Sequence, residues 1–224
     1  MADSSNPLSL QIDIVSDVVC PWCIIGYKQL EKALQMMPGQ FNVKYRWHPF
    51  ELNPQMPPEG QELGEHLRQK YGARPGGGDG ARQRLTELGE SLGFQFDYYD
   101  GMRMVNTFRA HCLLFWAESF GLQTPLKLAL FEAFFTHRRN VWEIDVLVDV
   151  AATVGLPAME ARELLNAGSY AQRVRQEQQL WLDKDIHAVP AFYFNEQYFV
   201  HGAQEAETFQ RILGKIKTKA ELTN

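Results

Sequence analysis

The 224-residue sequence predicts an α/β fold, in which a small mixed sheet is interrupted by a large all-helical insertion. Three observations carry that prediction. A strand–helix–strand pattern opens the chain, and helical periodicity then runs almost unbroken from about 61 to 186. Strand character returns only at Ala191–Asn195 and Gln197–His201, ahead of a last helix over about 204–217. The order βαβ, helical block, ββα places parts of one sheet at both ends of the chain. The expected division is 1–60 and 187–224 as two parts of one sheet domain, with 61–186 inserted between them.

Each element has a local reason. Leu8, Leu10, Ile12 and Ile14 alternate with polar residues, the period of a strand with one buried face. Pro21 fits a first helical turn, where its missing N–H removes no hydrogen bond. Tyr27, Leu30, Leu34 and Met37 then recur at helical spacing until Pro38-Gly39 stops the run. Phe41, Val43, Tyr45 and Trp47 alternate again, so the two strands should be parallel with a right-handed crossover. Residues 49–60 carry four prolines and read as an irregular connection. The helical block divides into segments at 61–71, 81–93, 103–120, 124–138, 143–154, 157–166 and 169–186, with a glycine-rich break at Gly72–Gly80.

Composition removes several function classes. The chain is 45% hydrophobic and 22% charged, with a net charge of −5, which disfavours nucleic acid or an anionic membrane surface as main partner. Arg138-Arg139 and Arg173/Arg175 are too short to alter that balance and read as solvated helix faces. No apolar run approaches the roughly 20 residues of a membrane span. The polar start Met1-Ala2-Asp3-Ser4-Ser5-Asn6 lacks the basic and apolar regions of a signal peptide, so a cytoplasmic location is expected. Three cysteines make no structural disulfide framework, and a cytosolic pair points to redox or metal chemistry.

Two of those cysteines form Cys20-Pro21-Trp22-Cys23, between a strand and the helix it feeds. A thiol becomes nucleophilic when its thiolate is stabilised, and a helix N-terminus offers unpaired N–H groups and the positive end of the dipole. Cys20 should sit there with a depressed pKa, as dithiols of this spacing do. Cys23 follows one turn later as the more buried, resolving thiol. Zinc is the competing use of such a pair, but it normally takes four ligands, and neither a second C-x-x-C nor a suitable histidine pair is present.

Further residues carry a resemblance. Ser16-Asp17-Val18-Val19-Cys20-Pro21-Trp22-Cys23 matches an S-D-x-x-C-P-W-C motif, and Phe50-Glu51-Leu52-Asn53-Pro54 matches F-x-L-N-P. Asn106-Thr107-Phe108-Arg109-Ala110-His111 matches N-T-x-x-A-H. Val189-Pro190-Ala191-Phe192 and Gly202-Ala203-Gln204 match V-P-x-F and G-A-Q. In this order they resemble the DsbA-like family of the thioredoxin fold (βαβ…ββα with a helical insertion), in its FrnE-type branch. That branch also resembles 2-hydroxychromene-2-carboxylate isomerases and kappa-class glutathione transferases.

The resemblance implies a thiol–disulfide oxidoreductase in which Cys20 attacks, Cys23 resolves and a cis Pro190 lies beside them. Pro21, Trp22 and Val189 would contact substrate, the Val189 backbone by pairing with an extended peptide. No cofactor beyond the redox-active disulfide is implied, with glutathione a candidate co-substrate. Expected partners are a peptide or small-molecule disulfide and a thiol reductant or oxidant, with the oligomeric state left open. The isomerase and transferase relatives carry serine at the attacking position, so both cysteines here favour redox chemistry. A C-terminal cysteine pair found in a FrnE-type member has no counterpart in residues 194–224.

Other prominent residues read as structural. Cys112 lies among Leu113, Leu114, Phe115 and Trp116 and is expected in the core. Asn106 and His111 suit helix packing or polar anchoring. Phe131, Phe134 and Phe135 are core candidates that could also line a cleft. Gly76-Gly77-Gly78-Asp79-Gly80 lacks the Lys-Ser/Thr of a phosphate loop and reads as a loop. Asp17, if close to Cys20, would oppose its ionisation.

Overall fold

The computed structural model describes residues 6–72 and 79–223. Strand β1 (Leu8–Ser16) leads through a short loop into helix α1 (Pro21–Gln35), and β2 (Phe41–Pro49) returns parallel to β1 with Ile12 opposite Tyr45 and Ile14 opposite Trp47. At the far end of the chain, β5 (Ala191–Phe194) and β6 (Tyr198–His201) form a hairpin, and β5 pairs antiparallel with β1. The sheet order is β2-β1-β5-β6, so the strand that leads to the cysteines is central and is held by residues from both ends of the chain.

Strand alternation gives the sheet two different faces. Leu10, Ile12 and Ile14 are wholly buried with Ile24, Ile25 and Leu30 of α1 and with Phe209 and Leu213 of α9 (Ala206–Thr223). Asp13 and Val15 face the other way. There Val15 and Ala191 pack with Trp181 of α8 (Ala171–Leu182) and with Ile186.

Between the sheet segments lie β3 (Gln61–Glu62), α2 (Leu63–Tyr71), α3 (Asp79–Ser91), β4 (Arg103–Met104), α4 (Phe108–Ala117), α5 (Gln123–Phe135), α6 (Ile144–Thr153) and α7 (Ala158–Ala167), followed by α8. The insertion grips the edge strand β2 from both sides. On the α1 side, Gln123 of α5 accepts from the Trp47 N–H at 2.8 Å and donates to the Trp47 carbonyl at 2.9 Å, so a side-chain amide satisfies backbone that an edge strand leaves open. On the other side, His48 bridges Asp13 and Glu177 of α8, each at 2.8 Å.

The structure corrects several expected boundaries. Helix was expected over 103–120, but Arg103–Met104 is a strand paired with Gln61–Glu62. Helix α4 starts only at Phe108, because the Asn106 carboxamide accepts the Phe108 N–H and donates to the Met56 carbonyl. It ends at Ala117, and Glu118–Phe120 is a 3₁₀ turn. Residues 61–62 are strand rather than helix, and α8 stops at Leu182 rather than 186. The last helix runs to Thr223, beyond the expected 217. Of the glycine-rich break, 73–78 lie outside the described residues, whereas Asp79 and Gly80 are already helical rather than loop.

Candidate active site

The Cys20–Cys23 geometry follows from Pro21. A residue before proline is pushed out of the α region, so Cys20 becomes the N-cap of α1 with extended backbone (φ −93°, ψ 109°), and Pro21 opens the first turn. No side chain caps this terminus. The Cys20 N–H donates to the Asp17 carbonyl at 3.2 Å, and the Cys23 N–H donates to the Cys20 carbonyl at 3.1 Å, closing the turn that brings the thiols together. No disulfide joins the two sulfurs in this structure. Cys23 is wholly buried, and of the two only Cys20 keeps any exposure (3%).

Residues from the far end of the chain complete the site. The Cys20 sulfur lies 3.8 Å from the Val189 carbonyl oxygen, and the Val189–Pro190 peptide is cis. The Pro190 carbonyl accepts the Gly202 N–H at 2.8 Å, which ties this loop to the end of β6. Gly26 of α1 lets the loop approach, since a Cβ there would stand 3.2 Å from Pro190 Cγ and 3.3 Å from Ala203 Cα. Pro21 occupies the helix start, and the Trp22 side chain stands half exposed beside the cysteines. Tyr98 lies within the field of the Cys20 sulfur and stacks on Phe96.

The two thiols share a hydrogen bond, and this sets their acidity. Cys20 is pushed well above the usual thiol value by donating to Cys23, by burial, and by the negative charges of Cys23 and Asp17. Burial also raises Cys23, but the Cys20 S–H, the Lys127 charge and the Ser16 hydroxyl outweigh it and bring Cys23 below the usual value. The two thiols are coupled through this bond and titrate as a pair. A depressed Cys20 was expected from the helix terminus, with Asp17 opposing it if close; here the partner thiol, burial and Asp17 all act against that dipole.

Beneath the dithiol lies a cluster of buried charges. Asp17 accepts the Leu52 N–H at 2.8 Å and lies 3.3 Å from His111 Nε2, which donates when protonated there. Burial raises its pKa, but His111, Leu52 and Lys127 together hold the carboxyl below the usual range. Lys127 of α5 is buried too, and desolvation pushes its pKa down to about 8 against the opposing charges of Cys23, Asp17 and Cys20. Asn106 anchors the start of α4, and His111 serves Asp17, as polar anchors would.

Cys112 is buried away from this cluster, and burial pushes its thiol up to about 11. Phe131, Phe134 and Phe135 are all core. Among the described residues no group of three or more His, Cys, Asp or Glu side chains gathers at metal-binding distances. No described helix is long and apolar enough to cross a membrane. The sequence reading missed Lys127, Ser16 and Tyr98. For Lys127 a signal exists, because it is the one cation in the otherwise apolar run Leu126–Phe131.

A sheet of this order, a helix that starts between two cysteines, a proline loop against them and a helical insertion together define a thioredoxin-fold protein with a dithiol site. The chain belongs to the DSBA-like thioredoxin domain family, whose model matches residues 11–214. It is similar to a probable DsbA oxidoreductase from Streptomyces coelicolor, with 30% identity and a TM-score of 0.86 over 92% of this chain and 89% of that one. It is 24% identical to the uncharacterized protein YwbO of Bacillus subtilis over 95% of this chain and the whole of that protein. The fold also matches the cytosolic disulfide reductase DsbM of Pseudomonas aeruginosa, solved with glutathione, at 18% identity and a TM-score of 0.63 over 92% and 98% of the two chains.

Proposed function

We propose that the protein is a cytoplasmic thiol–disulfide oxidoreductase that acts through the Cys20-Pro21-Trp22-Cys23 dithiol. The observation that carries this reading is the convergence of the Cys20 sulfur, the start of α1 and the Val189 carbonyl on one spot. The reduced pair shares a hydrogen bond between its two thiols, and the Cys20 thiolate attacks a substrate disulfide. A mixed disulfide forms and one substrate thiolate leaves. Cys23 then attacks the Cys20 sulfur and releases the second substrate thiolate, which leaves Cys20–Cys23 oxidised. Run backward, the same steps oxidise a dithiol.

Trp22 and Pro21 supply apolar contact beside the attacking sulfur, and the Val189 backbone offers hydrogen bonds to an extended peptide. Glutathione is a candidate co-substrate or reductant, because the DsbM neighbour was solved with it. The test is insulin-disulfide reduction with dithiothreitol, with Cys20→Ser as control. Equal activity in the two proteins would remove the reading. Glutathione binding and isomerase turnover that survive loss of both cysteines would instead favour the glutathione-dependent isomerase or transferase class.

A further inference from the structure

A second concave site lies between the proline-rich connection and α2, and it shares no lining residue with the dithiol. Its volume is about 350 Å³, within the range of small-molecule pockets. Residues 53–57 of the connection wall it on one side, with Gln61 of β3 and with His66, Gln69 and Lys70 of α2 on the other. His66 precedes Gln69 and Lys70 by one turn, the spacing that puts all three on one helix face. Pro54, Met56 and Pro57 give the pocket an apolar side.

The hydrogen bonds around this pocket consume its acceptors. The Asn53 side-chain oxygen accepts from Lys70 Nζ at 3.3 Å, and that of Gln69 accepts from Gln61 Nε2 at 2.9 Å. The Gln61 oxygen in turn accepts from His66 Nδ1 at 2.9 Å. Backbone acceptors are engaged in the same way. The carbonyls of Leu52, Asn53, Met56 and Pro57 accept, respectively, from Lys70 Nζ, the Met56 N–H, Asn106 Nδ2 and the Gly60 N–H. What remains is donors. The amide nitrogens of Asn53 and Gln69 have no partner among the described residues, and Lys70 adds a positive charge. No Asp or Glu is among the described residues that line the pocket, although the chain as a whole carries −5. A ligand held here must bring acceptors, and an anion brings the strongest ones.

We propose that this pocket binds a small organic anion, which presents a phosphoryl or carboxylate group to His66, Lys70 and the amides of Asn53 and Gln69. Its carbon skeleton rests on Pro54, Met56 and Pro57. Of the described residues that line the pocket, His66 and Lys70 are the titratable ones, since the connection and β3 contribute only Asn, Gln, Met and Pro. Burial and the Lys70 charge hold the His66 pKa below its usual value. An anion seated between the two reverses the second effect, so binding and protonation of His66 reinforce each other. The protonated ring donates through Nε2 while Nδ1 keeps its bond to Gln61. This site goes beyond the dithiol reading and does not depend on it.

The test titrates the full-length protein with inorganic phosphate and with succinate at constant ionic strength. Binding is followed by the ring-proton NMR signals of His66, assigned with His66→Gln. At least one probe should saturate, move those signals and raise the His66 pKa. Lys70→Met should weaken that binding about tenfold, the equivalent of one charge-assisted hydrogen bond. Lys215→Met, which removes the same charge from an exposed position on α9, should leave it unchanged. Saturation by phosphate alone assigns a phosphoryl ligand, by succinate alone a carboxylate, and by both an anion site that accepts either. Signals that do not saturate by about 100 mM of either probe, or an equal loss in the two lysine variants, overturn the proposal. So does saturable binding that leaves the His66 signals in place, a result read on the wild-type protein.

Discussion

The Cys20 sulfur meets the Val189 carbonyl across 169 residues of sequence, and the contact joins the helix start to the loop before β5. It leaves Cys20 at the mouth and Cys23 sealed behind it. Cys23→Ser should therefore trap the substrate on Cys20. With a peptide disulfide, intact-mass measurement should find a stable one-to-one adduct on the variant and only a transient one on wild type. An adduct that maps to Cys112 would contradict this order of attack.

Gly26 sets how closely α1 approaches Pro190. Alanine in a helix interior gains about 1 kcal/mol over glycine. Here the new Cβ would stand 3.0 Å from Phe192 Cζ as well as 3.2 Å from Pro190 Cγ, and overpacking of this kind costs about 1–3 kcal/mol. Because Phe192 is wholly buried and cannot swing away, the steric term should win. Gly26→Ala should be destabilised by about 1 kcal/mol in urea titration, with slower insulin reduction as Pro190 is displaced. A more stable variant with full activity would show that the loop yields freely.

The bridge from Asp13 through His48 to Glu177 fastens the sheet to α8, and its pH dependence has a definite sign. Burial lowers the His48 pKa, but bonds to two carboxylates outweigh it and raise it above the ordinary value. Its contribution is complete below about pH 6.5 and fades as pH climbs through the raised folded value. Asp13 and Glu177 are held low, the latter chiefly by His48, so their share is present above about pH 4 and lost on further acidification. His48→Gln should lower stability at pH 5.5 by about 2 kcal/mol, the scale of hydrogen bonds to charged groups. It should also shrink the difference between urea midpoints at pH 5.5 and 8.5. An unchanged difference would assign the alkaline loss to other groups.

Much of this architecture is legible in the sequence because it rests on period. Leu8 to Ile14 and Phe41 to Trp47 alternate long enough to declare strands, and Pro21 after Cys20 places the helix start. The β3–β4 ladder is not legible, since two residues a side carry no period. The start of α4 depends on the Asn106 side chain, which competes with helix in a way that apolar spacing does not reveal. Lys127 was legible only in part: it is the one cation in the apolar run Leu126–Phe131, but only the packing of α5 against β2 and α1 shows it buried. The acidity of the cysteine pair was legible in part, since Asp17 lies three residues before Cys20, whereas the Lys127 contribution comes from a separate element.

Asp17 offers the sharpest control over the redox balance. Its carbonyl accepts the Cys20 N–H, and its carboxylate charge opposes ionisation of Cys20. Asparagine has nearly the same shape and can still accept the Leu52 N–H, so Asp17→Asn removes the charge with little rearrangement. Two effects then compete. Cys20 ionises more readily, while Lys127 loses one of the charges that keep it protonated and supports Cys23 less. The direct effect should dominate, because Asp17 sits in the loop that leads into Cys20, whereas Lys127 acts on the pair through Cys23. A more readily ionised dithiol stabilises the reduced form, and a stabilised reduced form is the stronger oxidant. The wild-type potential should be less oxidising than that of DsbA-type oxidants with histidine between the cysteines, since Trp22 supplies no charge. Asp17→Asn should raise it by about 30 mV for each tenfold gain in reduced-form stability. Equilibration with glutathione buffers, quenched by thiol alkylation and read by mass, measures both values. A shift to more negative potential in the variant would mean that the loss at Lys127 outweighs the gain at Cys20.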